Sequence, residues 1–334
     1  MSFDNITLEK GMYSHPEKSF SDILEELDPS QNYVGTEYEG LDAFGRQLKR
    51  FDIKVAGAGS DAVRKFFATT QSGALFPEYV SRAVKQGIEE ADMLPSIVAS
   101  TTHINSLDYR TIASVPTDEE KSLVDVDEGA EIPEPVVRTQ ENLVRLNKRG
   151  RMLVASYEAI KFQRLDLFTV TLKQIGAYIA RQQLRDAVNV LINGDGNNNA
   201  AEVISVSGDK LAYADLIALY NALDPYALNA IIASPDMISS MLSVEEFKNP
   251  ATGLNFQGSG KLGNPLGAEL IRSAAVPAGT LIGFDKSCAL EMVSAGDVTV
   301  DYDKLIDRQL ERAAITSTAG FAKIFPDACK VLSV

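Results

Sequence analysis

Three stretches of this chain carry residue types that could hold a phosphate or a metal. The first is FDIKVAGAGSDAVRKFFA, residues 51–68, where Gly57, Gly59 and Ala62 match the spacing G-x-G-x-x-A. In a dinucleotide site such residues let the backbone approach a pyrophosphate between a strand and a helix N-terminus. Here the following helical stretch lasts only about two turns, and no second strand ending in an acid follows before Pro77. A flexible turn of small residues fits these residues better. The second stretch is VLINGDGNNNA, residues 190–200. A phosphate cradle precedes a helix, whose N-terminus is the positive end. This cluster follows a helical stretch and meets the negative end, and Gly194 suits the left-handed residue that stops a helix. A calcium loop opening at Asn193 needs glycine sixth and glutamate twelfth; the chain has Asn198 and Ile204. The third, NFQGSGKLGNP, contains Gly260-Lys261. A phosphate-binding loop needs glycine at 255 and Ser or Thr at 262, where this chain has Asn255 and Leu262.

The remaining candidates are sparse. Asp125 and Asp127 in VDVDEG could ligate a metal, but read more simply as part of a solvated acidic run. The histidines are His15 and His103, and the cysteines are Cys288 and Cys329. Neither pair has the spacing of a zinc site or a disulfide framework. No G-x-S-x-G elbow occurs, and nothing singles out one pair of carboxylates. The expectation is a protein without catalytic residues, bound cofactor or metal: not an enzyme.

Bulk properties narrow the classes further. Lys and Arg number 32 against 46 Asp and Glu, a net charge of −14 over 334 residues. That balance argues against holding DNA by neutralising many phosphates, though not against surrounding it. Hydrophobic residues form 45% of the chain, enough for a substantial core. The opening MSFDNITLEKGMYSH has no basic stretch leading into an apolar one, and no apolar run reaches membrane-spanning length. A soluble protein of a reducing cytoplasm is expected.

Several elements must organise these residues. Residues 1–60 are polar and glycine-broken, with amphipathic stretches at 21–26 and around Leu41, Phe44, Leu48 and Phe51. They read as an arm that clasps a neighbour. PEYVSRAVKQGIEEADML reads as a helix opening on Pro77. Between Thr117 and Glu134 eight acids face Lys121 alone; between Val136 and Arg151 the sign reverses, with Arg138, Arg145, Lys148, Arg149 and Arg151 against Glu141. With GAEIPEP between them, these segments read as a long hairpin with an acidic and a basic limb. A helix is expected over 167–193, where Phe168, Leu172, Ile175, Ile179, Leu184, Val188 and Leu191 keep helical spacing. At about 1.5 Å per residue it is a rod of roughly 40 Å. YADLIALYNAL and PDMISSML read as helices. ALNAIIAS, TLIGF, DVTVDYD and ERAAITSTAGFAKIF read as strands. Without a regular βαβ alternation, the class is α+β.

In order and spacing these stretches resemble the major capsid proteins of tailed bacteriophages with the Hong Kong 97 (HK97-like) fold. The likeness runs through FFATTQSGALFPEYVSRAVKQGI (66–88), VDEGAEIPEPVVRTQENLVRLNKRGRMLVASYEAI (126–160), DLFTVTLKQIGAYIARQQLRDAVNVLINGDG (166–196), ALNAIIASPDMISSML, GKLGNPLGAELIRSAAVPAGTLIGFDKSCAL and DVTVDYDKLIDRQLERAAITSTAGFAKIFPDACKVL. The resemblance implies an N-terminal arm (1–70), a peripheral domain in three parts (71–113, 152–200 with a spine helix at 167–193, and 297–334), an extended loop (114–151) and an axial domain (201–296). It implies self-assembly through pentamers and hexamers into an icosahedral shell around double-stranded DNA, without sequence-specific DNA binding or a membrane. Its implied partners are its own copies, a portal, a separate scaffolding protein and, in some relatives, a decoration protein. Assembly in the bacterial host cytoplasm would place it in the virion capsid. Some relatives are cleaved at the N-terminus or cross-link a loop lysine to an asparagine. Only about 60 residues precede the likeness, the first basic residue of the return limb is Arg138, and residues 301–307 hold no asparagine; neither modification is expected. The charge reversal directs Asp125, Asp127, Glu128 and Glu131 onto a neighbour's Lys173, Arg181 and Arg185, unless they are neutralised by Arg138, Arg145, Lys148 and Arg149 of their own hairpin. Two other readings stay open: an encapsulin-type nanocompartment, and a nucleotide-dependent enzyme using residues 57–62.

Overall fold

The computed structural model describes residues 2–15, 18–106, 108–113, 138–156, 162–208, 210–249, 263–296, 298–305 and 310–334. Helix α1 (Phe20–Leu27) opens with a capping box: Ser19 accepts from the Asp22 amide, and Asp22 accepts from the Ser19 amide. Asp42 caps α2 (Ala43–Arg50) by accepting from the Gly45 amide at 2.8 Å. The short α3 (Thr70–Gly73) leads to α4 (Phe76–Ala91). Strands β1 (Ser100–Ile104), β2 (Ile112–Ala113), β3 (Arg138–Thr139) and β4 (Asn147–Ser156) follow. The long helix α5 spans Leu165–Asn193 and stops where Gly194 turns to φ +79°. After β5 (Glu202–Ser205) come α6 (Tyr213–Ala222), β6 (Ala230–Ala233), α7 (Pro235–Leu242) and α8 (Glu245–Lys248). The chain ends with β7 (Glu269–Arg272), β8 (Thr280–Phe284), β9 (Leu290–Ala295), β10 (Thr299–Leu305), β11 (Leu310–Lys323) and β12 (Cys329–Ser333). The expected long helix and late strands are therefore present. The expected hairpin lies outside the described residues between 114 and 137, while residues 147–151 of its basic limb begin β4, which pairs with β11.

Two compact units emerge. The first comprises residues 1–91, 149–180 and 298–317. Its core joins Val80 and Val84 of α4 to Leu172 and Ile175 of α5, with Ile315 of β11. The two helices touch backbone to backbone. A Cβ on Gly176 would lie 2.1 Å from the Val84 carbonyl oxygen, and one on Gly87 2.2 Å from that of Lys173. The first 60 residues enter this same core through Leu8, Phe20, Leu24, Phe44, Leu48 and Ile53. The amphipathic faces read from sequence as a clasp for a neighbour are thus turned onto the chain's own body. Within the segment itself, the fully buried Arg46 ties the turn after α1 to α2. Its Nε donates to Asp28 at 2.6 Å, its Nη1 donates to Ser30 at 3.0 Å, and its guanidinium stacks 4.2 Å from the Tyr33 ring. Tyr33 in turn donates to Asp28 at 2.6 Å, so the buried ion pair is surrounded by partners.

The second unit comprises residues 92–148, 181–297 and 318–334. Its main sheet has the order β5-β12-β8-β6-β7, with β5 and β7 parallel to their neighbours and the inner pairs antiparallel. Period-two alternation gives the sheet two apolar faces. Ile232, Ile282, Phe284 and Val331 pack with Leu184, Val188 and Leu191 of α5. Ile231, Leu281 and Leu332 pack with Leu216 and Leu219 of α6 and with Met237 and Met241 of α7. Burial on both faces explains why β6 and β8 read as unbroken apolar runs. A further pairing joins β1 parallel to β9 and β9 antiparallel to residues 319–323 of β11; residues 310–316 of β11 pair with β10 in the first unit. Among the described residues no helix is long and apolar enough to cross a membrane.

Candidate interface residues and the loop root

The sequence-predicted interface residues fall into three groups. Asp125, Asp127, Glu128 and Glu131 lie outside the described residues. Arg138 sits in β3, where its backbone pairs with Ala113. Arg145 and Lys148 are exposed and Arg149 is half-buried. On α5, Arg181 and Arg185 are exposed one turn apart. Lys173 is engaged within its own chain, 2.7 Å from Glu90 of α4. By exposure alone, Arg181 and Arg185 are exposed and Lys173 is half-buried.

The phosphate and metal candidates resolve differently. Residues 54–62 form neither strand nor α-helix, and a 3-10 helix follows at Val63–Ala68. Gly57 is at φ +84°, and its carbonyl accepts from Arg164 at 3.1 Å, as does that of Ala58 at 2.9 Å. A strand and a full helix N-terminus are what a pyrophosphate would need, so the nucleotide reading of this segment is withdrawn. Gly260-Lys261 and the Asp125–Asp127 run lie outside the described residues. Among those described, no group of His, Cys, Asp or Glu is arranged to hold a metal.

The turn after α5 does more than stop a helix. Asp195 accepts from the Asn197 amide (3.2 Å), from Asn197 Nδ2 (2.9 Å) and from the Lys323 amide of β11 (2.9 Å). The Asn199 side chain accepts from the Asp195 amide at 3.0 Å. Lys323 is fully buried and donates its Nζ to the Asn199 carbonyl at 3.0 Å. Burial holds its ammonium below the ordinary lysine value. Onto this turn come residues that follow β3. Asn197 Nδ2 donates to Gln140 Oε1 at 2.8 Å, Asn142 donates its amide to Asn197 Oδ1 at 3.0 Å, and Asn142 Nδ2 donates to the Gly196 carbonyl at 2.9 Å. The preceding leg is held elsewhere. Thr102, Tyr109 and Thr111 all donate hydroxyls to the buried Glu291 of β9. The Tyr109 phenol is pushed up, first by burial and then by its bond to Glu291. These two clusters sit at the root of the segment between β2 and β3. Sequence reading recognised the turn but not its partners, and it passed over Glu291. An isolated acid inside the apolar run ALEMV was the one available signal.

A family profile described as "Phage capsid protein" matches residues 139–322, more than half of the 334 residues. No curated protein matches the sequence. Solved structures share the fold at low identity. The virus-like particle from Pyrococcus furiosus aligns at TM-score 0.54 and 12% identity, over 77% of this chain and 99% of that one. The capsid of the cyanophage P-SCSP1u aligns at 0.51 and 12%, over 73% and 88%. The holo-SrpI encapsulin complex from Synechococcus elongatus PCC 7942 aligns at 0.50 and 14%, over 72% and 86%. The architecture is the α+β, HK97-like capsid fold, and its role is structural rather than enzymatic. With a match spanning both compact units on this fold, the chain belongs to the phage capsid protein family.

Proposed function

We propose that this chain is the major capsid protein of a tailed bacteriophage head. Copies associate as hexamers and pentamers and close an icosahedral shell around packaged double-stranded DNA. The observation that carries this reading is the phage capsid profile over residues 139–322. The net charge of −14 supports a container that surrounds DNA without binding its sequence. Assembly takes place in the host cytoplasm with a portal and a separate scaffolding protein. Light scattering and negative-stain microscopy on the protein expressed with its neighbouring gene products test this. Closed particles that protect DNA from nuclease are expected; a monomer or dimer under every condition would sink it. The second reading, an encapsulin-type compartment, is favoured by the likeness to the Synechococcus elongatus shell. Particles filled with a protein cargo and lacking protected DNA would establish it instead.

Between copies, the acidic run with Asp125, Asp127, Glu128 and Glu131 meets a neighbour's Lys173, Arg181 and Arg185, Lys173 exchanging its partner Glu90 for the incoming acids. Each exposed pair contributes about 0–1 kcal/mol, and repetition around a ring multiplies the small term. Reversing Asp125, Asp127 and Glu128 to lysine is expected to weaken assembly at low salt, with a smaller effect at high salt. Equal assembly at both salt concentrations contradicts this contact.

A further inference from the structure

Glu291 is a carboxylate only 6% exposed, and among the described residues no cation pairs with it. Its Oε1 accepts from Thr102 Oγ1 at 2.5 Å and from Tyr109 Oη at 2.7 Å; its Oε2 accepts from Thr111 Oγ1. A carboxylate only accepts, so all three hydroxyls are forced to donate and their directions are set. The backbone repeats the constraint. The Tyr109 carbonyl accepts from the Val144 amide at 2.8 Å, and the Thr111 carbonyl accepts from the Gln140 amide at 3.0 Å. One residue further on, Ile112 pairs with Thr139 and Ala113 with Arg138, and there residues 114–137 leave and return. The returning leg has its own anchor, through Gln140 to Asn197 and to the Lys323 carbonyl, the latter at 2.8 Å.

We propose that Glu291 is a positioning residue for residues 114–137: by pinning Tyr109 and Thr111 it sets how that segment departs, and hence how accurately copies join. A buried carboxylate is costly unless its oxygens are hydrogen-bonded, and three hydroxyls among the described residues meet that need. An all-acceptor group on which the Tyr109 and Thr111 hydroxyls of this leg converge, beside that of Thr102 in β1, is what a directional pin needs. This inference rests on the capsid reading, because accuracy of joining matters only in a shell.

The test compares wild type, Glu291→Gln and Glu291→Leu. Glu291→Gln keeps the volume but replaces one acceptor with an NH2 donor, so at least one hydroxyl must turn. Hydrogen exchange on the unassembled protein is followed by measurement of particle diameters well below the melting temperature. The Ile112 and Ala113 amides are expected to exchange about tenfold faster in Glu291→Leu and less so in Glu291→Gln. The β8 amides should keep wild-type rates, and the diameter distribution should broaden in the same order. Unchanged exchange at 112–113 overturns the proposal. So do faster exchange with uniform wild-type diameters, and equal acceleration at β8. If wild type itself never assembles, the capsid reading fails and this inference with it, whereas failure of the pin alone leaves wild-type shells intact.

Discussion

Gly176 and Gly87 are residues whose missing side chains are their contribution. Helices α4 and α5 cross where either Cβ would overlap a carbonyl oxygen of the other helix. Gly176→Ala is expected to cost about 3 kcal/mol, since overpacking forces the helices apart, and urea unfolding reads the loss. Gly59→Ala is the control: its Cβ would meet nothing within 4 Å, so a change within about 0.5 kcal/mol is expected. Lys323 makes a prediction of a different kind. Burial lowers its pKa from the usual 10.5. Between the lowered value and 10.5 the unfolded chain binds the proton and the folded one does not, so stability rises with pH there. Below that window the full cost of a buried ammonium is present. Lys323→Met should remove this rise, which denaturation at stepped pH would detect.

At the scale of elements, α5 and its terminal turn do separate jobs. The helix supplies apolar positions to both units, Leu172 and Ile175 to one and Leu184, Val188 and Leu191 to the other. The turn gathers β11 and the leg that follows β3. Asp195→Ala removes the acceptor for two amides and the Asn197 side chain. It is expected to cost about 2–3 kcal/mol, because the Lys323 amide loses its partner in a part-buried place. Amide exchange at residues 140–142 should accelerate while Leu216 and Leu219 of α6 stay protected. Unchanged exchange at 140–142 would show that the turn does not hold that leg.

For the molecule as a whole, the first 60 residues are the test of what the body needs. Deleting residues 2–50 removes Phe3, Leu8, Phe20, Leu24, Phe44 and Leu48, each less than 9% exposed. At about 1.5–3 kcal/mol per buried side chain, the loss rivals a typical net stability of about 5–15 kcal/mol. The truncated chain is expected to lose its cooperative transition and to be digested within α4, as limited proteolysis would reveal. A removable arm would instead leave a folded body.

What the sequence by itself determined was local. The long helix, its glycine stop and the apolar strands β6 and β8 were legible because periodicity and turn chemistry act over a few neighbouring residues. The likeness to capsid proteins was legible for the same reason, as an order of such elements along the chain. The root of the loop was not. Tyr109 and Glu291 are 182 residues apart, Gln140 and Lys323 183, and Gln140 and Asn197 57. Such partners meet only after strand registers are set, and no local pattern encodes a register between distant strands. The destination of the first 60 residues was hidden likewise. An amphipathic helix announces that one face needs cover. Whether that cover is a neighbour or the chain's own α4 and α5 depended on the fit of Phe20, Leu24, Phe44 and Leu48 against the rest of the core, and only the tertiary structure decided it.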